Sequence, residues 1–117
     1  MEKFVEITYL FDFYQELLTE KQRELITEYY FNDLSLGELA TMYNISRQSI
    51  FDTIKKAQQK LIDYENKLQL WEKYKKQEEV LVRLTVVLVD AEKSLDDNGK
   101  QYISSIKELI DALTSEM

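Results

Sequence analysis

The sequence predicts an all-α protein: a helical bundle carrying a helix-turn-helix, followed by a long helix and a helical C-terminal extension. Three observations predict it. Helix breakers are nearly absent, with no proline and only Gly37 and Gly99, which suits helices joined by short connections. Apolar residues recur at steps of three and four rather than two. Two capped stretches face each other across one tight turn in SLGELATMYNISRQSIFDTIKKAQQKL, from Ser35 to Leu61. With 117 residues, 44% of them apolar, the chain can build a core rather than stay disordered.

The first helix spans residues 3–18. Phe4, Ile7, Phe11, Tyr14 and Leu18 step by 3, 4, 3 and 4, with Leu10 and Leu17 alongside and the acids mostly opposite. Such a stripe could be a partner groove, but aromatics at helical spacing ordinarily pack into a core, the favoured reading. Thr19 opens a second helix with Gln22 in the reciprocal capping position. Leu25, Ile26, Tyr29 and Tyr30 give it an apolar face, and Asn32-Asp33 ends it. Ser35 and Glu38 form a capping box for the third helix, whose face is Leu36, Leu39, Ala40 and Tyr43. Asn44 suits the left-handed turn. Ser46 then caps the fourth helix, apolar at Ile50, Ile54, Ala57 and Leu61.

That ladder continues through Tyr64, Leu68 and Trp71, giving a long helix with a coiled-coil-like seam. Leu61, Tyr64, Leu68 and Trp71 are the candidate seam of a homodimer. Lys75 and Glu78 break the ladder, so a bend is expected near residues 72–79. A fifth helix covers about 79–96 on Leu81, Leu84, Leu88, Ala91 and Leu95, broadened by Val80, Val87 and Val89. Asp97-Asn98-Gly99 reads as a turn. A sixth helix would bury Tyr102, Ile103, Ile106, Leu109, Ile110 and Leu113. The expected division is a helix-turn-helix domain over 1–62 and a helical extension over 63–117, serving as an oligomerisation or partner surface.

Chemistry is constrained by what is missing. The sequence has no Cys and no His, which removes disulfides, zinc fingers, thiol nucleophiles and imidazole catalysis. Gly37 and Gly99 lie too far apart for a glycine-rich phosphate loop. The acid pairs Glu78-Glu79 and Asp96-Asp97 are adjacent, and adjacent helical residues do not face each other. The expectation is a protein that is no enzyme, with no catalytic residue, metal or cofactor. Glu2, Glu6, Asp12 and Glu16 interrupt any N-terminal signal, and no apolar run spans a bilayer. A cytoplasmic protein without membrane insertion is expected.

The net charge is −7, which opposes non-specific nucleic-acid binding. Its distribution is uneven. Residues 1–34 sum to −5, residues 35–60 to +2 and residues 61–117 to −4. The one net-positive segment contains the two capped helices. A recognition helix presents polar side chains at its N-terminal end, and here Ser46, Arg47, Gln48, Ser49 and Asp52 occupy those turns. Arg forks to guanine and Gln pairs with adenine. Lys55, Lys56 and Gln59 follow, and Ser35 and Lys60 are candidate phosphate contacts. Asp52 opposes DNA phosphates. An ordinary solvated face explains the same bases. Phe51 either packs on the second helix, the favoured reading, or meets a thymine methyl.

Thr19, Ser35, Glu38, Leu39, Ala40, Ile45, Ser46, Ile50, Ala57 and Leu61 follow a pattern that resembles the helix-turn-helix of sigma-factor region four. Asn44 stands where the turn glycine is usual, and the recognition helix is poorer in Arg. The run LLTEKQRELITEYYFNDLSLGELATMYNISRQSIFDTIKKA, behind an aromatic helix in a short acidic chain, is similar to the YlxM family of bacterial proteins. That resemblance implies a DNA-binding regulatory protein with a role in the signal recognition particle pathway. The alternative it leaves open is an interaction module, without DNA binding, for the particle's GTPase or its RNA.

Overall fold

The computed structural model describes residues 2–115. Six α-helices follow in order: α1 Glu2–Tyr14, α2 Glu20–Ile26, α3 Leu36–Tyr43, α4 Arg47–Leu68, α5 Leu70–Glu92 and α6 Asp97–Ser115. No strand occurs among the described residues, so the fold is all-α as expected. The chain forms two compact units, Met1–Trp71 and Glu72–Met117.

In the first unit, α4 is the central element and packs against α1, α2 and α3. Its Ile50, Ile54, Ala57 and Leu61 meet Ile7, Leu10, Phe11, Tyr14 and Leu18 from the first segment, with Leu25, Ile26 and Leu39 completing the core. Burying each such aliphatic chain stabilises by about 1.5–3 kcal/mol. The aromatic stripe is therefore mostly core, although Phe4 is half exposed.

The first helix is shorter than its periodicity suggests. α1 stops at Tyr14 and a 3₁₀ turn, Gln15–Leu17, follows. Arg23 explains how the chain leaves the helix: its Nε donates to the Gln15 carbonyl at 3.2 Å and its Nη2 to that of Leu18 at 3.3 Å. The Leu18 carbonyl gains a partner that way, while the Gln15 carbonyl also accepts from the Leu18 amide at 3.1 Å. Leu18 is extended yet still buried. Both Thr19 and Ser35 form the full capping box. A π-helical turn, Thr27–Phe31, closes the second segment, and Asp33 reverses the chain at φ 62°. Asn44 sits in the left-handed region at φ 56°, ψ 46°, the conformation its short amide tolerates.

The break after the ladder falls at Gln69, not within 72–79. Gln69 is left-handed at φ 55°, and α5 runs unbroken through the residues expected to bend. A tertiary cluster accounts for it. The Tyr14 hydroxyl donates to Glu65 Oε1 at 2.7 Å and accepts from the Leu70 amide at 3.1 Å. Glu65 Oε1 also accepts from the Trp71 amide at 3.1 Å. The first two amides of α5 are thus capped from α1 and α4. The Trp71 ring stacks on Tyr9 with centroids 5.5 Å apart.

The second unit holds the rest of α5 together with α6. Asp97-Asn98-Gly99 is the first turn of α6 rather than a connecting turn. Asp96 caps it, its Oδ1 accepting from the Gly99 amide at 2.9 Å, while the chain reverses through Lys93, Ser94 and Leu95. Gly99 answers to close approach, because an added β-carbon would lie 3.0 Å from the Leu95 β-carbon. Lys107 Nζ reaches Glu92 Oε2 at 2.6 Å between the helices. The expected buried side of α6 needs correction. Ile103 is buried, but Tyr102 and Leu109 are 74% and 70% exposed and Leu113 and Ile106 are also exposed. A helix in a two-helix hairpin has one neighbour, which covers only one stripe of its surface.

Candidate nucleic-acid interface

The interface candidate is built by two caps and one turn. Ser35 Oγ accepts from the Glu38 amide at 3.1 Å, and Glu38 Oε1 accepts from the Ser35 amide at 2.9 Å. That bond, and then the Ser35 hydroxyl, hold the Glu38 carboxyl below the usual range. Asn44 turns the chain, and Ser46 Oγ accepts from the Ser49 amide at 3.0 Å. Ile50, fully buried, anchors the helix start, so the opposite side of its first turns faces solvent.

Arg47, Gln48, Ser49 and Asp52 are all exposed there. Gln48 Nε2 donates to Asp52 Oδ1 at 2.9 Å, so the expected adenine reader and the expected acid form one intrahelical pair. Arg47 lies beside the start of α3. The point a β-carbon on Gly37 would occupy is 3.9 Å from Ser35 Oγ and 4.0 Å from Arg47 Nε. Ser35 and Arg47 thus both border Gly37, each at an ordinary van der Waals distance from where a side chain would begin.

The later positions divide. Lys55 and Lys56 are exposed, with the Lys55 ammonium 5.8 Å from the Phe51 ring centroid. That distance allows a cation–π contact. Phe51 lines a shallow cleft of about 250 Å³ with Tyr29, Leu36 and Ile54. Gln59 Nε2 donates to Asp63 Oδ1 at 2.9 Å. Lys60 is half-buried and donates to Gln22 Oε1 at 3.1 Å, joining α4 to the cap of α2.

The four seam residues are spent largely within the first unit. Leu61 is in the core, Tyr64 and Trp71 pack against it, and Leu68 is half exposed. The Tyr64 hydroxyl donates to the Leu17 carbonyl at 3.3 Å. The Tyr14–Glu65 bond was legible only as a tyrosine on a core stripe, whose hydroxyl must find a partner.

Among the described residues no cluster of carboxylates is placed to hold a metal ion, and no helix is long and apolar enough to cross a membrane. An exposed, capped, polar helix start carrying one guanidinium and two nearby ammonium groups offers hydrogen bonds and positive charge to a polyanion.

Residues 1–102 match a family model, UPF0122, described as "Putative helix-turn-helix protein, YlxM / p13 like". The chain is similar, at 40% identity over 109 residues, to UPF0122 proteins of Bacillus thuringiensis (strain Al Hakam) and Bacillus cereus (strain 03BB102). A UPF0122 protein of Bacillus mycoides (strain KBAB4) matches to the same extent. Each alignment covers 93% of this chain and 98% of the relative.

Proposed function

This chain belongs to the UPF0122 family, described by a helix-turn-helix and not by a catalytic activity, and from that premise we propose that it is a cytoplasmic, homodimeric DNA-binding regulator. The observation that carries the proposal is the exposed first turn of α4. Arg47, Gln48 and Ser49 are offered to solvent by a helix whose other side is locked in the core, within the only net-positive segment of the chain. In this reading α4 enters the major groove in the manner of sigma region four. Arg47 is the base reader, Lys55 and Lys56 contact phosphates, and Ser35 contacts phosphate beside Arg47. Gln48, Ser49, Asp52 and Gln59 complete the surface, with Ser46 as its cap and Lys60 as the outermost cation. The regulation serves the signal recognition particle pathway.

A second reading has its own support. Gln48 is turned to Asp52 and Lys60 to Gln22, which leaves one fewer base-reading amide and only Arg47, Lys55 and Lys56 as cations for phosphate, and the −7 charge suits a basic protein. Here the helix-turn-helix is a scaffold that docks on the particle's GTPase or RNA.

The test is a gel-shift titration of the protein against duplex DNA and the particle RNA at two salt concentrations. Under the first reading Arg47→Ala changes base preference and costs about 1–3 kcal/mol at its base. Lys55→Ala with Lys56→Ala weakens all duplexes alike and lowers the salt slope by about 2. Failure to bind any duplex at low salt, with nuclease-resistant co-purification of the GTPase, transfers the function to the second reading.

A further inference from the structure

The second unit leaves one face of its hairpin uncovered, and that face is patterned. On α5, Val80, Leu84, Val87 and Ala91 follow at spacings of 4, 3 and 4. On α6, Tyr102, Ile106, Leu109 and Leu113 follow at the same spacings. Neither stripe is the one that joins α5 to α6, where Leu88 and Ile103 are buried. Both stripes lie on the same side of the hairpin: Val80 and Leu113 line a single apolar groove of about 350 Å³, with Lys76, Gln77 and Leu81. The other side is mixed rather than apolar, a cleft where Glu78, Thr85, Asp111 and Thr114 alternate with Tyr74, Leu81, Val82 and Ile110.

We propose that this face docks a second copy of the chain, two α5–α6 hairpins forming a four-helix bundle. A 4-3-4 stripe is the pattern of a knobs-into-holes seam, and a hairpin bearing one on each helix finds its complement in another with the same two stripes. The area is appropriate. An aliphatic side chain exposes roughly 60–120 Å² of apolar surface in full. The two stripes, about half exposed over most of their length, therefore offer on the order of 400 Å² per copy by the same conversion. That approaches the apolar content of a standard interface of about 800 Å² per partner. It is also the size of patch that marks an interaction site on a monomer. Charge permits the pairing. Residues 72–117 hold 10 acidic and 7 basic residues, and the stripes hold none, so like-charge repulsion at the seam is small.

The inference rests on the homodimer of the proposed function and assigns its interface to α5 and α6 rather than to the Leu61–Trp71 seam. Light scattering of the full chain, in buffer without nucleic acid, tests it. The wild type should show twice the 14.0 kDa chain mass. Val87→Glu and Leu109→Glu, at positions 61% and 70% exposed in the single chain, should halve that mass while helicity by circular dichroism is unchanged. Val82→Glu, 58% exposed and lining the mixed cleft on the opposite side, should remain dimeric. A monomeric wild type, or a Val82→Glu variant that dissociates as readily as the other two, overturns the proposal. Because the mass is read without DNA, a dimer that binds no duplex removes only the DNA reading. A monomer that binds duplex removes only this one.

Discussion

Tyr14→Phe isolates one hydroxyl on which the end of the first unit depends. The ring is retained, so packing against the core and the neighbouring Tyr64 ring is unchanged, and the difference is hydrogen bonding alone. The hydroxyl is buried and donates at 2.7 Å to the Glu65 carboxylate. A bond to a charged acceptor is worth about 1.5–3 kcal/mol. It also accepts from the Leu70 amide at 3.1 Å. Leu70 is 42% exposed, so water recovers part of that neutral bond, ordinarily worth about 0.5–1.5 kcal/mol. Glu65 keeps the Trp71 amide. The expected loss is about 2 kcal/mol, or roughly 8–16 °C in the melting temperature of a unit this size. Trp71 is the only tryptophan and stacks on Tyr9 beside the substitution, so its fluorescence in urea reports this unit.

The same residue makes a pH prediction. Burial first, and then the bond to Glu65, push the Tyr14 hydroxyl from 10.0 up to about 12, with the Leu70 amide pulling the other way. A group whose pKa is raised on folding stabilises fully below its unfolded value and loses that contribution as pH rises through its folded value. The gap between wild type and Tyr14→Phe should be constant up to pH 10 and close between pH 10 and 12. A gap under about 0.5 kcal/mol at neutral pH, the scale of an ordinary surface change, or one that widens above pH 10, would refute the reasoning.

Two further substitutions test the local geometry. Asn44→Val should cost about 1–2 kcal/mol in urea unfolding, because valine resists the left-handed φ of 56°, while Asn44→Gly stays within a few tenths of a kcal/mol; equal costs would remove backbone strain as the cause. Lys107→Ala should raise the Glu92 pKa toward its ordinary value in an NMR pH titration, since the Lys107 ammonium's hydrogen bond and charge hold it down. A lowered carboxylate stabilises above its unfolded value and loses that contribution as pH falls through its folded one, so an unmoved midpoint would show that the pair does not form in solution.

The caps from Thr19 to Ser46 were legible: Thr19 with Gln22, Ser35 with Glu38, Asn44 and Ser46 all act where their chemistry places them. The core stripe of α4 was legible for the same reason, since period and capping are set within four residues of chain. The later boundaries were not. Gly99 carried the strongest turn signal yet serves close packing inside a helix, a role that depends on Leu95 facing it.

The recognition surface divides along the same line. Arg47 and Ser49 could be placed on an exposed first turn from the Ser46 cap alone. That Lys60 turns to Gln22, 38 residues away, and that Arg47 lies over the start of α3 near Gly37, followed only from packing. The sequence by itself determined an all-α chain with a helix-turn-helix, because caps, turns and apolar period are local interactions. Tertiary structure alone decided that the long ladder breaks at Gln69, and which apolar stripes of α5 and α6 stay uncovered. The break depends on Tyr14 meeting Glu65 across 51 residues, and the uncovered stripes on which faces of a two-helix hairpin have a neighbour, neither of which any local window of the chain contains.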